Sequence, residues 1–142
     1  MATEEARIAR RWFTEVWQER NPSTIDELMD PAAIGHTSAG DITGPAEWKE
    51  RVWDPLTTAF PKMSLDIEDI VSKDETAMVR WRATMVHTGP GLGLAPSGRT
   101  VVLAGLTWLT IRGGRIVEGW DGWDFTGMLV QCGATMSTDP KR

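Results

Sequence analysis

The stretch TVVLAGLTWLTIRGGRIVEGWDGWD, residues 100–124, decides the fold of this chain. Two largely apolar runs, residues 100–111 and 115–124, flank the pair Gly113-Gly114. Two glycines between such runs are typical of a two-residue β-hairpin turn, because that turn requires positive φ at both central positions. The stretch therefore predicts an antiparallel hairpin in which Arg112 lies opposite Arg115.

The register of this hairpin predicts which side chains share a face of the sheet. Directly paired residues lie on the same face, and counting back from the turn pairs Leu106 with Asp121. One face is then expected to carry Leu106, Trp108, Thr110, Val117, Asp121 and Trp123. The other is expected to carry Thr107, Leu109, Ile111, Ile116, Glu118 and Trp120. Because both faces are largely apolar, we expect one to pack on helices and the other, through Glu118, Trp120, Leu109 and Ile111, on the second subunit of a homodimer.

The remaining chain predicts helices followed by further strands. Apolar side chains at spacings of three and four predict an amphipathic helix over residues 4–20, with Thr3 as its N-cap. A short helix is expected over residues 23–29, and a third helix begins at Gly44-Pro45 and is weakened at Pro55. The other predicted elements are strands over residues 32–37, 64–71 and 76–88 and a last helix over residues 125–134. This order indicates an α+β architecture, a curved sheet folded over helices.

Length, charge and cysteine content exclude several classes of protein. The 142 residues fit one domain, 1–142, and the net charge of −5 argues against nucleic-acid and anionic-membrane partners. Cys132 is the single cysteine, which excludes an internal disulfide and a Cys-rich zinc site. The acidic start and a longest apolar run of eleven residues predict a cytoplasmic protein without a membrane span. The sequence carries no motif for a metal or an organic cofactor, and we expect neither.

Asp121 is the first candidate for chemistry. It lies within a predicted strand among apolar residues, where aspartate is rare. Removal from water raises the pKa of a carboxyl group, which makes the group a competent acid or base near neutral pH. The alternative is an aspartate at the end of the strand that is solvated or bound to an arginine. Asp124, three residues further on, is expected to cap the last helix.

Two histidines and a glycine-rich loop are further candidates. His36 and His87 each lie on or beside a predicted strand, where an imidazole can donate to a carbonyl oxygen, carry a proton, or simply be hydrogen-bonded within the sheet. Arg80 and Arg82 share a strand face, either solvated or paired with carboxylates. The loop GPGLGLAPSG, residues 89–98, lacks the spacing of a phosphate-binding loop and predicts a mobile lid or entrance to a pocket.

Several segments, in order, resemble the SnoaL-like polyketide cyclase and ester cyclase family of the nuclear-transport-factor-2-like (NTF2-like) superfamily. They are FTEVWQERNPSTIDELM (13–29), IGH (34–36), AFPKMSLDIEDIVSKDETAMVRW (59–81), HTG (87–89) with SGR (97–99), and GGRIVEGWDGWDFTGMLVQCG (113–133). The resemblance implies an NTF2-like or cystatin-like cone: N-terminal helices packed in a strongly curved, mostly antiparallel sheet, with a deep apolar pocket and commonly a dimer. It also implies that Asp121, in the W-D-x-x-D pattern, is the acid/base of an intramolecular aldol closure, and it matches His36 and His87 to recurrent histidines.

The resemblance leaves three functions open. The first is a cofactor-independent cyclase for a small apolar carbonyl compound, in which Asp121 takes a proton α to the carbonyl and His87 or His36 stabilises the enolate oxygen. The second is a non-catalytic ligand-binding or scaffolding domain of the same fold. The third is a limonene-type epoxide hydrolase, although Thr84 stands where that branch has a second aspartate beside Asp121 and Arg82; the steroid-isomerase branch is disfavoured because the chain has no tyrosine. The candidate substrate-binding residues are Trp12, Trp17, Trp48, Arg82, Leu106, Trp108 and Trp123.

Overall fold

The computed structural model describes residues 2–135 and shows six strands in one curved sheet. They are β1 (Met29–Thr37), β2 (Gly40–Thr43), β3 (Lys62–Lys73), β4 (Thr76–Val86), β5 (Thr100–Arg112) and β6 (Arg115–Trp123). Their order across the sheet is β2-β1-β6-β5-β4-β3. Strand β1 runs parallel to β6, whereas all other neighbours are antiparallel. The predicted α+β architecture is confirmed; the short strand β2 and the parallel pair were not predicted.

The helices lie before, between and after the strands. They are α1 (Glu4–Arg11), continued by a π-helical segment (Trp12–Gln18); α2 (Pro22–Leu28); α3 (Gly44–Trp48), continued by a π-helical segment (Lys49–Trp53) and by α4 (Asp54–Ala59); and α5 (Phe125–Gln131). Thr3 accepts a hydrogen bond from the amide of Ala6 and caps α1, as predicted. Pro55 is the second residue of α4, two residues after the π-helical segment ends, and it has no N–H to donate within this continuous helical stretch. No helix within residues 2–135 is long and apolar enough to cross a membrane.

The helices cover one face of the sheet, which we call the inner face. Side chains alternate along a strand, so every second residue of β4 and β5 is buried there, including Val79 and Trp81. Phe13, on the first helix, packs on Trp81 with their ring centroids 6.3 Å apart. The intervening residues form an outer face that no described helix covers. The inner face therefore holds the core and positions the cavity described below.

A bulge in β6 changes the register that the sequence predicts. The turn at Gly113-Gly114 has positive φ at both residues, and Arg112 and Ile111 lie opposite Arg115 and Ile116, as predicted. Beyond that point the ladder shifts by one residue, because Val117 has no partner. Since side chains alternate with a period of two, a one-residue shift exchanges the faces of the two strands relative to one another.

The shift corrects the predicted faces of the hairpin. Asp121 lies opposite Thr107 rather than Leu106, and both line the inner cavity. Leu109 and Ile111, predicted for an outer dimer face, are buried in the core. The outer face instead carries Leu106 and Trp108, together with the predicted Trp120 and Glu118.

The first residue of the 89–98 loop packs against the end of helix α4. The Gly89 amide donates to the carbonyl of Ala59, and a Cβ at Gly89 would lie 1.7 Å from the carbonyl oxygen of Thr58. Leu92 and Leu94 pack partly buried against the core. No residue of the loop is in the cavity wall. Its mobility stays a prediction, but its place in the fold does not make it a lid on the cavity.

Candidate functional site

A cavity lies between the helices and the inner face of the sheet. The space open to the centre of a water-sized sphere is about 90 Å³. Its walls are largely apolar, with five tryptophans and three methionines: Trp12, Trp17, Trp48, Trp81, Trp123, Met29, Met63 and Met85. Small-ligand sites are commonly concave and apolar with a few placed polar groups, and this cavity has that composition.

Three tryptophans pack edge to face on the helical side of the cavity. The ring centroids of Trp12 and Trp48 are 4.9 Å apart at 59°, and those of Trp17 and Trp48 are 5.6 Å apart at 74°. Such tilted contacts suit the charge distribution of aromatic rings and hold large, stiff side chains in place. The cluster therefore gives the cavity one rigid aromatic wall. These three tryptophans and Trp123 were predicted to bind substrate, and all four line the cavity.

Asp121 is the only ionisable side chain in the part of the cavity wall that the structure describes. Thr107, directly opposite on β5, donates its hydroxyl to Asp121 Oδ1 at 2.8 Å. Burial raises the pKa of the Asp121 carboxyl group, and the hydrogen bond from Thr107 lowers it in part. Asp121 makes no ion pair with any residue from 2 to 135, so the arginine-bound alternative does not describe it. A lone carboxyl group in an apolar cavity can hold or release a proton beside a bound molecule.

His36 is not part of the cavity, contrary to the prediction. Its neighbour Gly35 faces inward, so alternation places His36 on the outer face. There its Nε2 and Nδ1 contact Glu118 Oε2 and Asp41 Oδ1, each at 2.8 Å, and its ring stacks on Trp120 at 5.0 Å. The hydrogen bond to Glu118 raises the pKa of His36 most, and the hydrogen bond to Asp41 raises it further. His36 therefore lies on the outer face between two carboxylates.

His87 is also outside the cavity, although it is fully buried. His87 directly follows the end of β4. It lies eight residues beyond Val79, the residue that pairs with Thr107, and eight residues of extended strand span about 26 Å. Its Nδ1 accepts a hydrogen bond from the amide of Ser97 at 3.2 Å and also contacts Ser97 Oγ at 2.9 Å. The imidazole therefore holds the far end of the 89–98 loop, and it cannot serve as the oxyanion donor proposed from the sequence.

Three predicted substrate-binding residues lie on the outer face instead of in the cavity. Leu106 and Trp108 remain about half exposed there, because the bulge in β6 turns Asp121 toward their neighbour Thr107. Arg82 lies between the buried Trp81 and Ala83, so its side chain projects outward, 3.9 Å from Glu68. An Asp121–Arg82 pair around a water molecule is therefore not assembled.

Sequence reasoning missed two polar groups at the site, Trp81 and Thr107. The alternation in β4 contained the signal for Trp81, since the residue stands between the outward-facing Arg80 and Arg82. Thr107 was assigned to the face opposite Asp121, and only the bulge brings the two together. Among residues 2–135 no three His, Cys, Asp or Glu side chains lie together as metal ligands do.

The fold and the site define a class of protein: an α+β cone with an apolar cavity and one carboxyl group in its wall. The sequence matches the family model described as SnoaL-like polyketide cyclase over residues 7–132. The chain therefore belongs to the SnoaL-like polyketide cyclase family. No curated protein sequence matches the chain.

Solved structures with the same fold include three bacterial proteins. A provisionally assigned SnoaL-like polyketide cyclase from Jannaschia sp. CCS1 is 22% identical, with 94% of each chain covered and a TM-score of 0.83. IdmH of Streptomyces antibioticus, provisionally assigned as a polyketide cyclase, is 28% identical over 93% of this chain and 100% of its own, with a TM-score of 0.78. AclR of Streptomyces galilaeus, provisionally assigned as a hydroxylase, is 20% identical over 97% of this chain and 90% of its own, with a TM-score of 0.81.

Proposed function

We propose that the protein is a cofactor-independent cyclase-type enzyme that binds a small apolar carbonyl compound in the cavity and uses Asp121 to move a proton. The observation that carries this proposal is the isolation of one carboxyl group in an apolar wall. A ligand there excludes water, so the proton has no competing acceptor among the described side chains of the wall. The aromatic wall of Trp12, Trp17 and Trp48 suits a flat, unsaturated substrate.

The reaction that fits these groups is an intramolecular aldol closure. The Asp121 carboxylate removes a proton from the carbon α to one carbonyl group, and the electron pair passes to that carbonyl oxygen as an enolate. The enolate carbon then forms a bond to the carbon of a second carbonyl group of the same molecule, whose oxygen becomes an alkoxide. The protonated Asp121 returns its proton to that oxygen, so the product is an isomer of the substrate. A raised pKa suits both steps, because the group must be a base strong enough to accept the proton and an acid able to return it.

The relatives support the class of reaction and leave the particular reaction open. IdmH is 28% identical and is provisionally assigned as a polyketide cyclase. AclR shares the fold and is provisionally assigned as a hydroxylase. Because one fold hosts several functions, Asp121 and its surroundings, and not the fold, support the role of proton carrier.

Exchange of the α-protons of 2-tetralone in D₂O, followed by NMR, tests the proposal on a flat, apolar ketone. We expect the wild-type protein to accelerate the exchange and Asp121→Asn to lose about 10²–10⁴-fold of that rate, the usual share of general acid–base catalysis. Asp124→Asn is the matched control: Asp124 caps α5 through the amide of Gly127, and asparagine caps a helix as well as aspartate does. Exchange at the wild-type rate in Asp121→Asn would falsify the role of Asp121.

A non-catalytic binding domain is the second candidate, and the apolar composition of the cavity favours it equally. The two functions differ in one outcome. If the protein only binds, quenching of tryptophan fluorescence by 2-tetralone should be the same in the wild-type protein and in Asp121→Asn, with no accelerated exchange in either.

The hypothesis of a limonene-type epoxide hydrolase loses support, because Arg82 lies on the outer face and Thr84 stands in place of the second aspartate.

A further inference from the structure

We propose that Trp81 and Thr107 are positioning residues that hold Asp121 with one oxygen engaged and the other directed to the substrate. The proposal rests on the proposed function in that it assigns the reacting oxygen of the same carboxyl group. Neither residue is required to touch the substrate. Their part is to fix the direction of a hydrogen-bond chain that ends on Asp121.

The chain of hydrogen bonds crosses three neighbouring strands. Trp81 Nε1 on β4 lies 3.1 Å from Thr107 Oγ1 on β5, which lies 2.8 Å from Asp121 Oδ1 on β6. Trp81 and Thr107 are both buried, with 8% and 3% of their surface exposed. Water therefore does not compete for the bond between them, and a buried donor without its acceptor would be costly.

The chemistry of the indole group fixes the direction of the chain. An indole N–H can only donate, so Thr107 Oγ1 must accept from Trp81. The hydroxyl proton of Thr107 is then free for the one remaining neighbour, and it donates to Asp121 Oδ1. Without Trp81 the threonine hydroxyl is free to rotate and to accept a proton from a neutral Asp121 instead.

Gly105 provides the space for this arrangement. Trp81 lies directly opposite Gly105, and a Cβ on that glycine would lie 2.3 Å from Cζ2 of the indole ring. The ring therefore lies across the glycine and reaches Thr107, two residues further along β5. A side chain of any size at position 105 displaces the ring from this path.

The arrangement gives the two carboxyl oxygens of Asp121 different tasks. Oδ1 accepts the threonine proton in both protonation states. Oδ2 has no hydrogen-bonding partner within residues 2–135 and, unlike the sealed Nε2 of His87, is not cut off from the cavity. The proton that Asp121 takes and returns is therefore on Oδ2. The hydrogen bond to Oδ1 also stabilises the carboxylate and so lowers the pKa of Asp121, which opposes part of the increase caused by burial.

Titration of the indole N–H resonances by NMR tests the chain without any substrate. The protein has eight tryptophans, and Trp81→Phe identifies the resonance of Trp81 by its loss. Asp121 is the only ionisable side chain in the described cavity wall, on any of the strands and helices around it. We expect the Trp81 resonance to shift with pH as Asp121 titrates, and to stop shifting in Asp121→Asn. Thr107→Val should abolish the pH-dependent shift of the Trp81 resonance and raise the pKa of Asp121. Thr107→Ser keeps the hydroxyl group and should show the wild-type shift and the wild-type pKa.

Turnover supplies an independent arm of the same experiment. Relative to wild type, Thr107→Val should slow α-proton exchange by roughly tenfold, about the worth of one hydrogen bond to a charged group, and should displace the pH profile upward. Thr107→Ser should recover the wild-type profile, and Gly105→Ala, which displaces the ring, should reproduce the loss of the Trp81 titration. A Trp81 resonance that is insensitive to Asp121 in the folded wild-type protein overturns the proposal. A titrating resonance without any exchange activity supports the hydrogen-bond chain and contradicts the enzyme.

Discussion

Asp121 makes the free energy of unfolding depend on pH, because burial favours the neutral form of its carboxyl group. Its carboxyl group has an ordinary pKa of 3.8, and burial raises the value in the folded protein. Above 3.8 the unfolded chain loses this proton while the folded chain retains it, so its contribution to the free energy of unfolding falls as pH rises through the raised folded value. The contribution is present below the unfolded pKa and lost above the folded one.

Asp121→Asn should therefore gain stability relative to wild type as pH rises. The amide cannot ionise and keeps nearly the same shape. Chemical denaturation of both proteins between about pH 4 and pH 8 measures the difference in the free energy of unfolding. The difference should grow with pH and then level off; a difference that shrinks with pH contradicts a raised pKa in the folded state.

His36 should affect stability in the same direction as Asp121, because its pKa is also raised in the folded protein. Its carboxylate partners raise its pKa above 6.5, so the stabilisation it contributes is fully present below 6.5 and is lost as pH rises through the raised folded value. His36→Asn removes the titrating group. Unfolding curves at about pH 6 and pH 9 should show that wild type loses stability relative to the variant at the higher pH. A constant difference between the two proteins contradicts the ion pairs with Glu118 and Asp41.

At the scale of the elements, the 89–98 loop should be mobile between two fixed ends. Its amides make few bonds: Gly89 and Gly98 donate to Ala59 and His87, Leu94 donates to Gly91, and Ser97 donates to His87 Nδ1. We expect amide hydrogen exchange in residues 90–96 to be much faster than in β4 and β5, with protection returning at Ser97. His87→Ala should remove the protection of Ser97 alone. Exchange across the whole loop as slow as in the strands contradicts this prediction.

The hairpin shows how far the sequence predicts the elements. The turn at Gly113-Gly114 follows from backbone chemistry, and it was predicted with the first two pairs of the ladder. The bulge was not predicted, because no local signal marks Val117. Asp121 lies five positions after Ile116, an odd spacing, so a regularly alternating strand cannot direct both side chains inward. Packing both on the inner face requires one extra residue in β6, and that demand comes from the tertiary structure.

The same limit explains which site residues were predicted. Trp12, Trp17 and Trp48 follow from helical spacing, and all three line the cavity. The two histidines could not be placed from the sequence. The face of His36 depends on the parallel pairing of β1 with β6. The distance of His87 from Asp121 depends on which end of β4 lies beside Thr107 and Asp121.

At the scale of the whole molecule, we propose that the outer face of the sheet is the interface of a homodimer. Its exposed apolar residues are Val71, Val102, Leu106, Trp108 and Trp120. Acidic Glu118 borders the aromatic centre on β6, and basic Arg80 and Arg82 border it on β4. Within the subunit these charges are paired, Glu118 with His36 and both arginines with Glu68.

Light scattering during size-exclusion chromatography measures this assembly. The wild-type protein should have twice the monomer mass of 15.7 kDa at micromolar concentration. Trp108→Glu should give monomers, because it places a charge in the aromatic centre of the face. Val130→Glu is the matched control, since Val130 is about equally exposed but lies on helix α5 and not on a strand of the outer face. A monomer mass for the wild-type protein contradicts the proposed interface.

The central claim is that the Asp121 carboxyl group carries the proton, and the pH profile of turnover tests it most directly. The same sample gives two curves: the rate of 2-tetralone α-proton exchange against pH, and the ¹³C shift of the Asp121 carboxyl carbon against pH. We expect both curves to have their midpoint at one pKa, above the ordinary 3.8 of an aspartate. A rate that shows no inflection where Asp121 titrates would mean that another group moves the proton, and the account would be wrong.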